Sequence, residues 1–424
     1  MTMPKIAFFI ELKNNQATIE GADLNIGNPG VGGTQYLFLL TVKVLNSIYG
    51  ENYSVLLTNT RFSNSDPGLH TDYSENVKEA IQYCERHQIN NLVLNANEAD
   101  RVDAKVFDTR VRIMLWAHNT LNAKRQKIAA ETKSIRWVVC VSKSQYLNMS
   151  DTPCFGKCTY INNVIPSYFF EQATLSDYSE QKVAYVGSLM PQKGAHNLLE
   201  IWKYVEEKLP HAQLYIFGGA NVWNANAKLG SGGYADPFYE RVLQKRLKKL
   251  SHPENIHFMG AKGWDFIDSF IPTFRLGIVN PSHYRRDETF CLSAIEMAAH
   301  GLPVVSRQRH DGLATTVFHN KTGYLEKNDK EIADRIISIV SDPEKSRKMG
   351  LAGREYAEAF LAKTVVPKWR ELAENQDDAD SAKGIAFFSK DAAMLRRDFL
   401  LKMGFLFESG KTLGILKKKL KVGK

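Results

Sequence analysis

Short, nearly uninterrupted apolar runs alternate along this chain with longer amphipathic stretches. Before residue 165 the apolar runs are KIAFFI, SVLLT, NLVLN, RIMLWAH and WVVCVS, and after it they are KVAYVGS, QLYIFG, IHFMG, LGIVNPS and PVVSR. Continuous runs of this kind are typical of strands that are buried on both faces of a parallel sheet, with helices as the crossovers. The pattern predicts an α/β protein with two doubly wound, Rossmann-like domains.

The two predicted domains meet near CTYINNVIPSYFF, where a strand ends and a polar stretch leads to the next strand. We place the N-terminal domain at residues 1–165 and the C-terminal domain at residues 166–360. After the last strand the pattern becomes helical, and Asp342 followed by Pro343 predicts a helix start. Residues 361–424 are expected to form C-terminal helices and a basic tail.

Composition indicates a globular protein, because 44% of the residues are hydrophobic and 24% are charged. The cysteines are scattered and odd in number, which favours a reducing compartment and plain thiols over a disulfide framework. Cys154 and Cys158 are four residues apart, but no second pair completes a zinc site. The first apolar run is too short for a signal peptide or a membrane span. We therefore expect a cytoplasmic protein.

Most of the excess positive charge lies at the end of the chain. The formal net charge is +9, and residues 396–424 contain nine basic against two acidic residues, a local charge of +7. Apolar residues recur there near helical spacing, as in a segment that binds an anionic membrane surface. A solvated basic end that docks on the protein itself remains the alternative. Nucleic-acid binding is not expected, since no recognisable module accompanies the tail.

The sequence GNPGVGGTQYLFLL joins a glycine-rich loop to a helix that is predicted to begin near Thr34. Gly32 and Gly33 allow a ligand to approach the backbone, and the free N–H groups of a helix start attract anions. About seventeen residues separate Ile10 from Gly27, whereas a dinucleotide fingerprint follows its strand directly. The loop therefore predicts either an anion site of another kind or a flexible loop without a ligand.

Two further candidates follow predicted strands. His118 ends the strand in RIMLWAHNT, at the edge where open α/β sheets bind ligands, although a structural histidine would also fit. VAYVGSLMPQKG predicts a strand, a tight turn and a helix that starts near Lys193 and Gly194. A lysine beside exposed amides can neutralise a diphosphate.

The segment LGIVNPSHYRRDETFCLSAIEMAAHGLPVVS is the most informative part of the chain. Glu288 precedes a predicted helix whose first turn is Thr289 to Leu292, and Glu296 lies about two turns into it. The first-turn amides can take a phosphate, Glu296 can accept bonds from a ribose diol, and Glu288 can reach the sugar. Two unrelated carboxylates around a helix start would give the same spacing.

Glu288, seven intervening residues and Glu296, within ETFCLSAIEMAAHGLPVV, resemble the Glu-x7-Glu signature of family-4 retaining glycosyltransferases of the GT-B fold. GVGGT, WAHN, CVSKSQ, VGSLMPQKG, IFGGA and IHFMG occur in that family's order over roughly residues 4–360. The resemblance implies a GT-B fold with two Rossmann-like domains facing across a cleft. It also implies transfer from a nucleotide sugar, most often UDP-linked, to a saccharide or lipid-linked saccharide, as in envelope, capsule or lipopolysaccharide assembly.

The resemblance implies a role for each matching residue. Those nearest the reacting sugar and diphosphate would be His118, Glu288 and Lys193. Those that hold the donor would be Gly32, Gly33, Ser188, Lys193, Met259, Gly260, Phe290, Cys291, Leu292 and Glu296.

This chain departs from the family's pattern at two places. Ser188 stands where the family usually has an arginine, so a diphosphate contact would come from Arg285, Arg286 or Arg307 instead. The segment SRQRHDGLATTV brings His310 and Asp311 into a loop that is usually glycine-rich.

In the resembling family the transfer is understood to occur on the front face of the sugar, and the departing diphosphate takes the acceptor's proton. No metal cofactor is needed in that scheme. The only D-x-D string, Asp378-Ala379-Asp380, lies in a polar linker and is interpreted as solvated charge. The alternatives are a nucleotide-sugar epimerase or a sugar phosphorylase on the same fold, and a noncatalytic nucleotide-binding protein that recruits partners.

Overall fold

Two parallel sheets, formed by consecutive parts of the chain, carry the architecture. The computed structural model describes residues 5–61, 68–222, 224–283, 288–308 and 311–374. The strands of the first sheet are β1 (Ile6–Ile10), β2 (Ser54–Thr58), β3 (Thr71–Tyr73), β4 (Asn91–Asn95), β5 (Arg112–Ala117), β6 (Ile135–Cys140) and β7 (Cys158–Tyr160). Those of the second sheet are β8 (Lys182–Val186), β9 (Gln213–Phe217), β10 (Ile256–Gly260), β11 (Phe274–Ile278), β12 (Val304–Arg307) and β13 (Gly323–Glu326).

Helices connect these strands. Those of the first half are α1 (Gln16–Ile19), α2 (Gly33–Tyr49), α3 (Val77–Arg86), α4 (Ala123–Glu131) and α5 (Lys143–Asn148). Those of the second half are α6 (Tyr168–Glu171), α7 (Ala195–Glu206), α8 (Pro237–Leu247), α9 (Trp264–Ile267), α10 (Leu292–Ala299), α11 (Leu313–Thr316), α12 (Asp329–Val340), α13 (Pro343–Ala357), α14 (Ala362–Val365) and α15 (Pro367–Glu374). Short 3-10 turns complete several of the connections.

The strand orders are those of doubly wound sheets. The first sheet runs β3-β2-β1-β4-β5-β6-β7 and the second β10-β9-β8-β11-β12-β13. All recorded pairings are parallel, and the order reverses at β1 and at β8, so helices cover both faces. Every residue of β1 is buried, as its uninterrupted apolar run predicts. The predicted α/β class with two doubly wound domains is confirmed.

Two short strands were not among the predicted ones. β3 and β13 are three and four residues long, and each lies at one edge of its sheet. Neither has a long apolar run, because an edge strand pairs on only one side and can be short and polar.

The chain passes between the two sheets twice, along neighbouring paths. Ile165 and Leu361 form a parallel bridge, in which the Ile165 N–H donates to the Phe360 carbonyl at 3.0 Å. Beyond this bridge the last helices return to the first sheet, and the ring of Trp369 lies 5.5 Å from that of Phe8. All described residues belong to one compact unit. The domain boundaries that we placed after residues 165 and 360 remain predictions.

Other expectations concern chemistry rather than topology. The five cysteines are buried free thiols, as expected. Within the described ranges, no helix is long and apolar enough to cross a bilayer. The same ranges contain no group of three or more His, Cys, Asp or Glu side chains that could hold a metal ion. The basic tail, the Asp378–Asp380 string, Arg285, Arg286 and His310 lie outside the described residues.

Candidate active site

Lys193 and Glu288 lie together at the carboxyl edge of the second sheet. Their Nζ and Oε2 atoms are 2.6 Å apart. Lys193 ends the turn after β8, and Gly194 follows with a φ of +83°. A Cβ atom on Gly194 would lie 2.3 Å from the backbone nitrogen of Ser282, so glycine alone lets this turn pack on the loop after β11. The structure thus brings together two of the predicted catalytic residues.

Two residues that the sequence did not single out for this purpose hold Glu288 in place. The side-chain amide of Asn280 donates to the same carboxylate oxygen that Lys193 contacts. Asn280 has a φ of +43°, a conformation that asparagine tolerates better than most residues. The backbone N–H of Glu288 donates to Asp311 Oδ2 at 2.9 Å. Glu288 is therefore fixed through both its side chain and its main chain.

Helix α10 begins later than predicted. Its first residue is Leu292, with Cys291 as the N-cap, so Thr289 and Phe290 precede the helix rather than form its first turn. Glu296 consequently lies about one turn into the helix, not two. The physical reason is that Thr289 is bound elsewhere, because its carbonyl accepts from Ser142 Oγ at 2.7 Å. Cys291 and Leu292 still stand at a helix start, where backbone N–H groups lack intrahelical partners.

His118 lies beside this segment. Its carbonyl accepts a hydrogen bond from Thr289 Oγ1 at 2.7 Å, which connects the end of β5 to the residue after Glu288. The ring is half-buried, 4.5 Å from the ring of Trp116, and its Nε2 atom is shielded from solvent without a hydrogen-bond partner. Burial lowers the pKa of His118 to about 3. The imidazole is therefore neutral at pH 7 and suited to hydrogen bonding rather than to carrying charge.

Glu296 is a buried carboxyl group with spare hydrogen-bonding capacity. It is 3% exposed, and its Oε1 atom has no hydrogen-bond partner. Burial raises the pKa of Glu296 to about 8, and the polar side chain of Trp264 partly opposes this shift. The pKa of Tyr36, on α2 of the first sheet, is raised by burial and by the charge of Glu296. A buried acceptor of this kind suits a hydroxyl donor, which is the role expected of a ribose-binding residue.

The glycine-rich loop reaches this place from the first sheet. α2 begins at Gly33 with Gly32 as its N-cap, one residue before the predicted start. A Cβ atom on Gly33 would meet nothing within 4 Å, so the helix start faces open space. The loop also contacts the second sheet, because the Trp264 N–H donates to the Asn28 carbonyl at 3.0 Å.

The remaining predicted donor residues lie at the ends of neighbouring strands. Ser188 follows β8, while Met259 and Gly260 end β10. The Gly260 carbonyl accepts from the Gly218 N–H at 2.8 Å, so the residue after β9 is hydrogen-bonded to the end of β10. Parallel strands end at one edge of a sheet, so these residues share the side on which Lys193 lies. Their roles in donor binding remain predictions.

The sequence suggested Arg307 as a substitute ligand for the diphosphate, but the structure shows its side chain bound within the protein. Its guanidinium donates to the carbonyls of Pro281 at 3.1 Å and Lys327 at 2.8 Å, and it also contacts Asp329. The side chain is buried and its bonds tie β12 to the loop after β11. Arg307 therefore supports the loop that carries Ser282 instead of binding a ligand.

Comparison with known proteins gives these positions a context. Residues 169–356 match the model of the family described as glycosyl transferases group 1. An uncharacterized glycosyltransferase of Haemophilus influenzae is 22% identical over 402 residues, which are 87% of this chain and the whole of that protein. The capsular polysaccharide biosynthesis glycosyltransferase CapM of Staphylococcus aureus is 25% identical over 45% of this chain and 44% of its own length.

A solved structure shares the fold over most of the chain. The structure of HepE from Anabaena, in complex with UDP and glucose, superposes with a TM-score of 0.64 at 14% identity, covering 88% of this chain and all of that one. The two parallel sheets described above therefore form a GT-B fold. Within it, residues 169–356 are the part of the chain that matches the model of the glycosyl transferases group 1 family.

Proposed function

We propose that this protein is a retaining glycosyltransferase that moves a sugar from a UDP-sugar to a saccharide or lipid-linked saccharide. The observation that carries the proposal is the contact between Lys193 and Glu288. These residues are 95 positions apart and were assigned to diphosphate and sugar from the sequence, and their side chains meet at 2.6 Å. They lie at the strand edge where open α/β sheets bind ligands.

Each group has a chemical task in this proposal. The donor diphosphate replaces Glu288 as the partner of Lys193 and also accepts from the backbone N–H groups of Cys291 and Leu292. The freed Glu288 carboxylate accepts from sugar hydroxyls, Glu296 accepts from the ribose diol, and the neutral His118 ring bonds the transferred sugar. Lys193 and the helix start balance the developing charge, so the proposed reaction requires no metal.

The proposed transfer keeps the configuration of the sugar. The bond between the anomeric carbon and the UDP oxygen breaks, and the acceptor oxygen bonds to that carbon on the same face. The acceptor's proton passes to the departing phosphate. The protein contributes orientation and charge stabilisation rather than a covalent nucleophile.

The nucleotide and the acceptor are inferred from similarity. The likeness to HepE, solved with UDP and glucose, supports UDP, and the similarity to CapM supports an acceptor in capsule or other cell-surface polysaccharide assembly. The basic tail supports an acceptor at the cytoplasmic face of a membrane.

Proton NMR of the turnover of α-linked UDP-sugars tests the proposal directly. Incubation with simple alkyl glycosides as acceptors, or with water alone, should release UDP and give an α-linked product or the α-sugar before mutarotation. A β-configured product would contradict retention. UDP-sugars that stay intact with every acceptor would contradict the proposed activity and support the noncatalytic alternative.

A further inference from the structure

We propose that Thr289 is a positioning residue, which holds Glu288 of the second sheet in a fixed place relative to His118 at the end of β5. The inference rests on the proposed function, in which Glu288 and His118 both contact the transferred sugar. Thr289 has no contact with the donor or the acceptor in that function. The sequence placed it in the first turn of a helix, which begins only at Leu292.

Thr289 is bound to the first half of the chain through both its side chain and its main chain. Its Oγ1 atom donates to the His118 carbonyl at 2.7 Å, and its own carbonyl accepts from Ser142 Oγ at 2.7 Å. Ser142 Oγ in turn accepts from the Gln145 N–H at 3.0 Å, as the N-cap of α5. Thr289 is 8% exposed and Ser142 is fully buried, so water has little access to these bonds.

The strand end that carries His118 is fixed at three successive carbonyl groups. The Gln145 side-chain amide donates to the Ala117 carbonyl at 2.8 Å and to the Asn119 carbonyl at 3.3 Å. The carbonyl between them, that of His118, accepts from Thr289. Two of these bonds come from α5 of the first half, and the third comes from the second half. The Thr289 hydroxyl therefore joins the backbone of His118 directly to the segment after Glu288.

The second half of the chain holds the neighbouring Glu288 through its main chain. The Glu288 N–H donates to Asp311 Oδ2 at 2.9 Å, and the Glu288 carbonyl accepts from the Gly312 N–H. Gly312 packs so closely that a Cβ atom there would lie 2.2 Å from the Thr289 carbonyl oxygen. Asp311 also accepts from the Leu313 N–H at 3.0 Å, at the start of α11. Bonds from the two halves thus end on adjacent residues, which share one planar peptide group.

Thr289→Val tests the proposal, because valine keeps the shape of the side chain and removes the hydroxyl group. We expect kcat with a UDP-sugar to fall roughly tenfold, because the two groups that orient the sugar are no longer held together. The Kd for UDP, measured by calorimetry, should change little, since the Thr289 hydroxyl is not among the groups proposed to bind the nucleotide. Thr289→Ser keeps the donor and should retain most of the wild-type kcat. An equal fall in kcat in the serine variant would overturn the proposal.

A double-mutant cycle tests whether Thr289 acts through His118. In the His118→Ala background, Thr289→Val should have little further effect on kcat, since the ring that it positions is gone. If Thr289→Val has its full effect in both backgrounds, the hydroxyl acts independently of His118 and the positioning role is refuted.

The matched control is Thr315→Val. The Thr315 hydroxyl also contacts the first half of the chain, since its Oγ1 atom lies 2.9 Å from Ser144 Oγ. Thr315 lies on α11, and its contact is with α5 rather than with the strand end that carries His118. Thr315→Val should therefore leave kcat unchanged. An equal fall in kcat in both valine variants would mean that any bond between the two halves has this effect, and would overturn the role of Thr289.

A measurement without turnover separates this inference from the proposed function. The NMR signals of histidine rings in the ligand-free protein report their surroundings, and the His118 signal is assigned by its loss in His118→Ala. It should shift in Thr289→Val and return in Thr289→Ser. An unshifted signal in Thr289→Val would refute the positioning role. If the signal shifts but the wild type releases UDP from no UDP-sugar, the proposed function is wrong and the link from Thr289 to His118 stands.

Discussion

Replacement of Glu296 by glutamine should change how the stability of the protein depends on pH. The pKa of Glu296 is raised from 4.5 to about 8 because burial disfavours its charged form. Between these values the unfolded chain loses the proton while the native carboxyl group keeps it. The native state binds more protons, so its stability falls as pH rises through this window and is level above about pH 8. Glutamine cannot ionise, so the stability of the variant should not fall with pH in this way.

The magnitude follows from the shift in pKa. One pKa unit corresponds to ~1.4 kcal/mol, so the free energy of unfolding of the wild type should lose on the order of 5 kcal/mol relative to Glu296→Gln between pH 4.5 and 8. Relaxation of the site when the carboxyl group ionises would reduce this to about 3 kcal/mol.

Urea unfolding of ligand-free wild type and Glu296→Gln at intervals from pH 5 to 9 measures the difference. The exposed residue Glu51 provides the control, because Glu51→Gln removes one carboxyl group at the surface. The advantage of Glu296→Gln should grow steadily with pH and then level off. A difference that is the same at pH 5 and pH 9 would refute the inferred burial of an unpaired carboxyl group.

Three further expectations concern binding and turnover. UDP affinity of the wild type should increase between pH 6 and 8 more steeply than that of Glu296→Gln, because the ribose hydroxyls select the ionised carboxylate. If calorimetry gives the same dependence of UDP affinity on pH in both proteins, this expectation is wrong. His118→Ala and Glu288→Ala should each lower kcat roughly a hundredfold with smaller changes in donor KM. If these residues serve only donor binding, steady-state kinetics would instead show a raised donor KM with little change in kcat. Deletion of the residues after Asp380 should leave activity on a soluble acceptor and reduce sedimentation with anionic vesicles, whereas unchanged sedimentation would exclude a membrane role for the tail.

The fold was largely predictable because a strand buried on both faces needs an unbroken apolar run. The ten runs seen in the sequence coincide with ten strands, and the cap at Asp342 is formed by its side chain, which accepts from the Lys345 N–H at 3.0 Å. The edge strands β3 and β13 could not be predicted, because three or four residues carry no periodicity that distinguishes a strand from a loop.

The site was less predictable, because its contacts join distant parts of the chain. The spacing of Glu288 and Glu296 could not show that Thr289 is held by the first sheet, which delays the start of α10. Nor could composition show that the Arg307 guanidinium donates to backbone carbonyls of the protein itself. The bond from the Trp264 N–H to the Asn28 carbonyl could not be predicted for the same reason, because the two residues are far apart in the sequence.

The central claim is that the residues around Lys193, Glu288 and Glu296 bind a nucleotide sugar, and a thermal-shift panel tests it most directly. UDP-, GDP- and ADP-sugars would be added to the wild type and to Glu296→Ala. A ligand present at 100 times its Kd adds about 2.7 kcal/mol of stability, which should raise the Tm of the wild type with UDP-sugars. We expect this shift to disappear in Glu296→Ala. The absence of a shift with every nucleotide sugar, or an equal shift in the variant, would contradict the account.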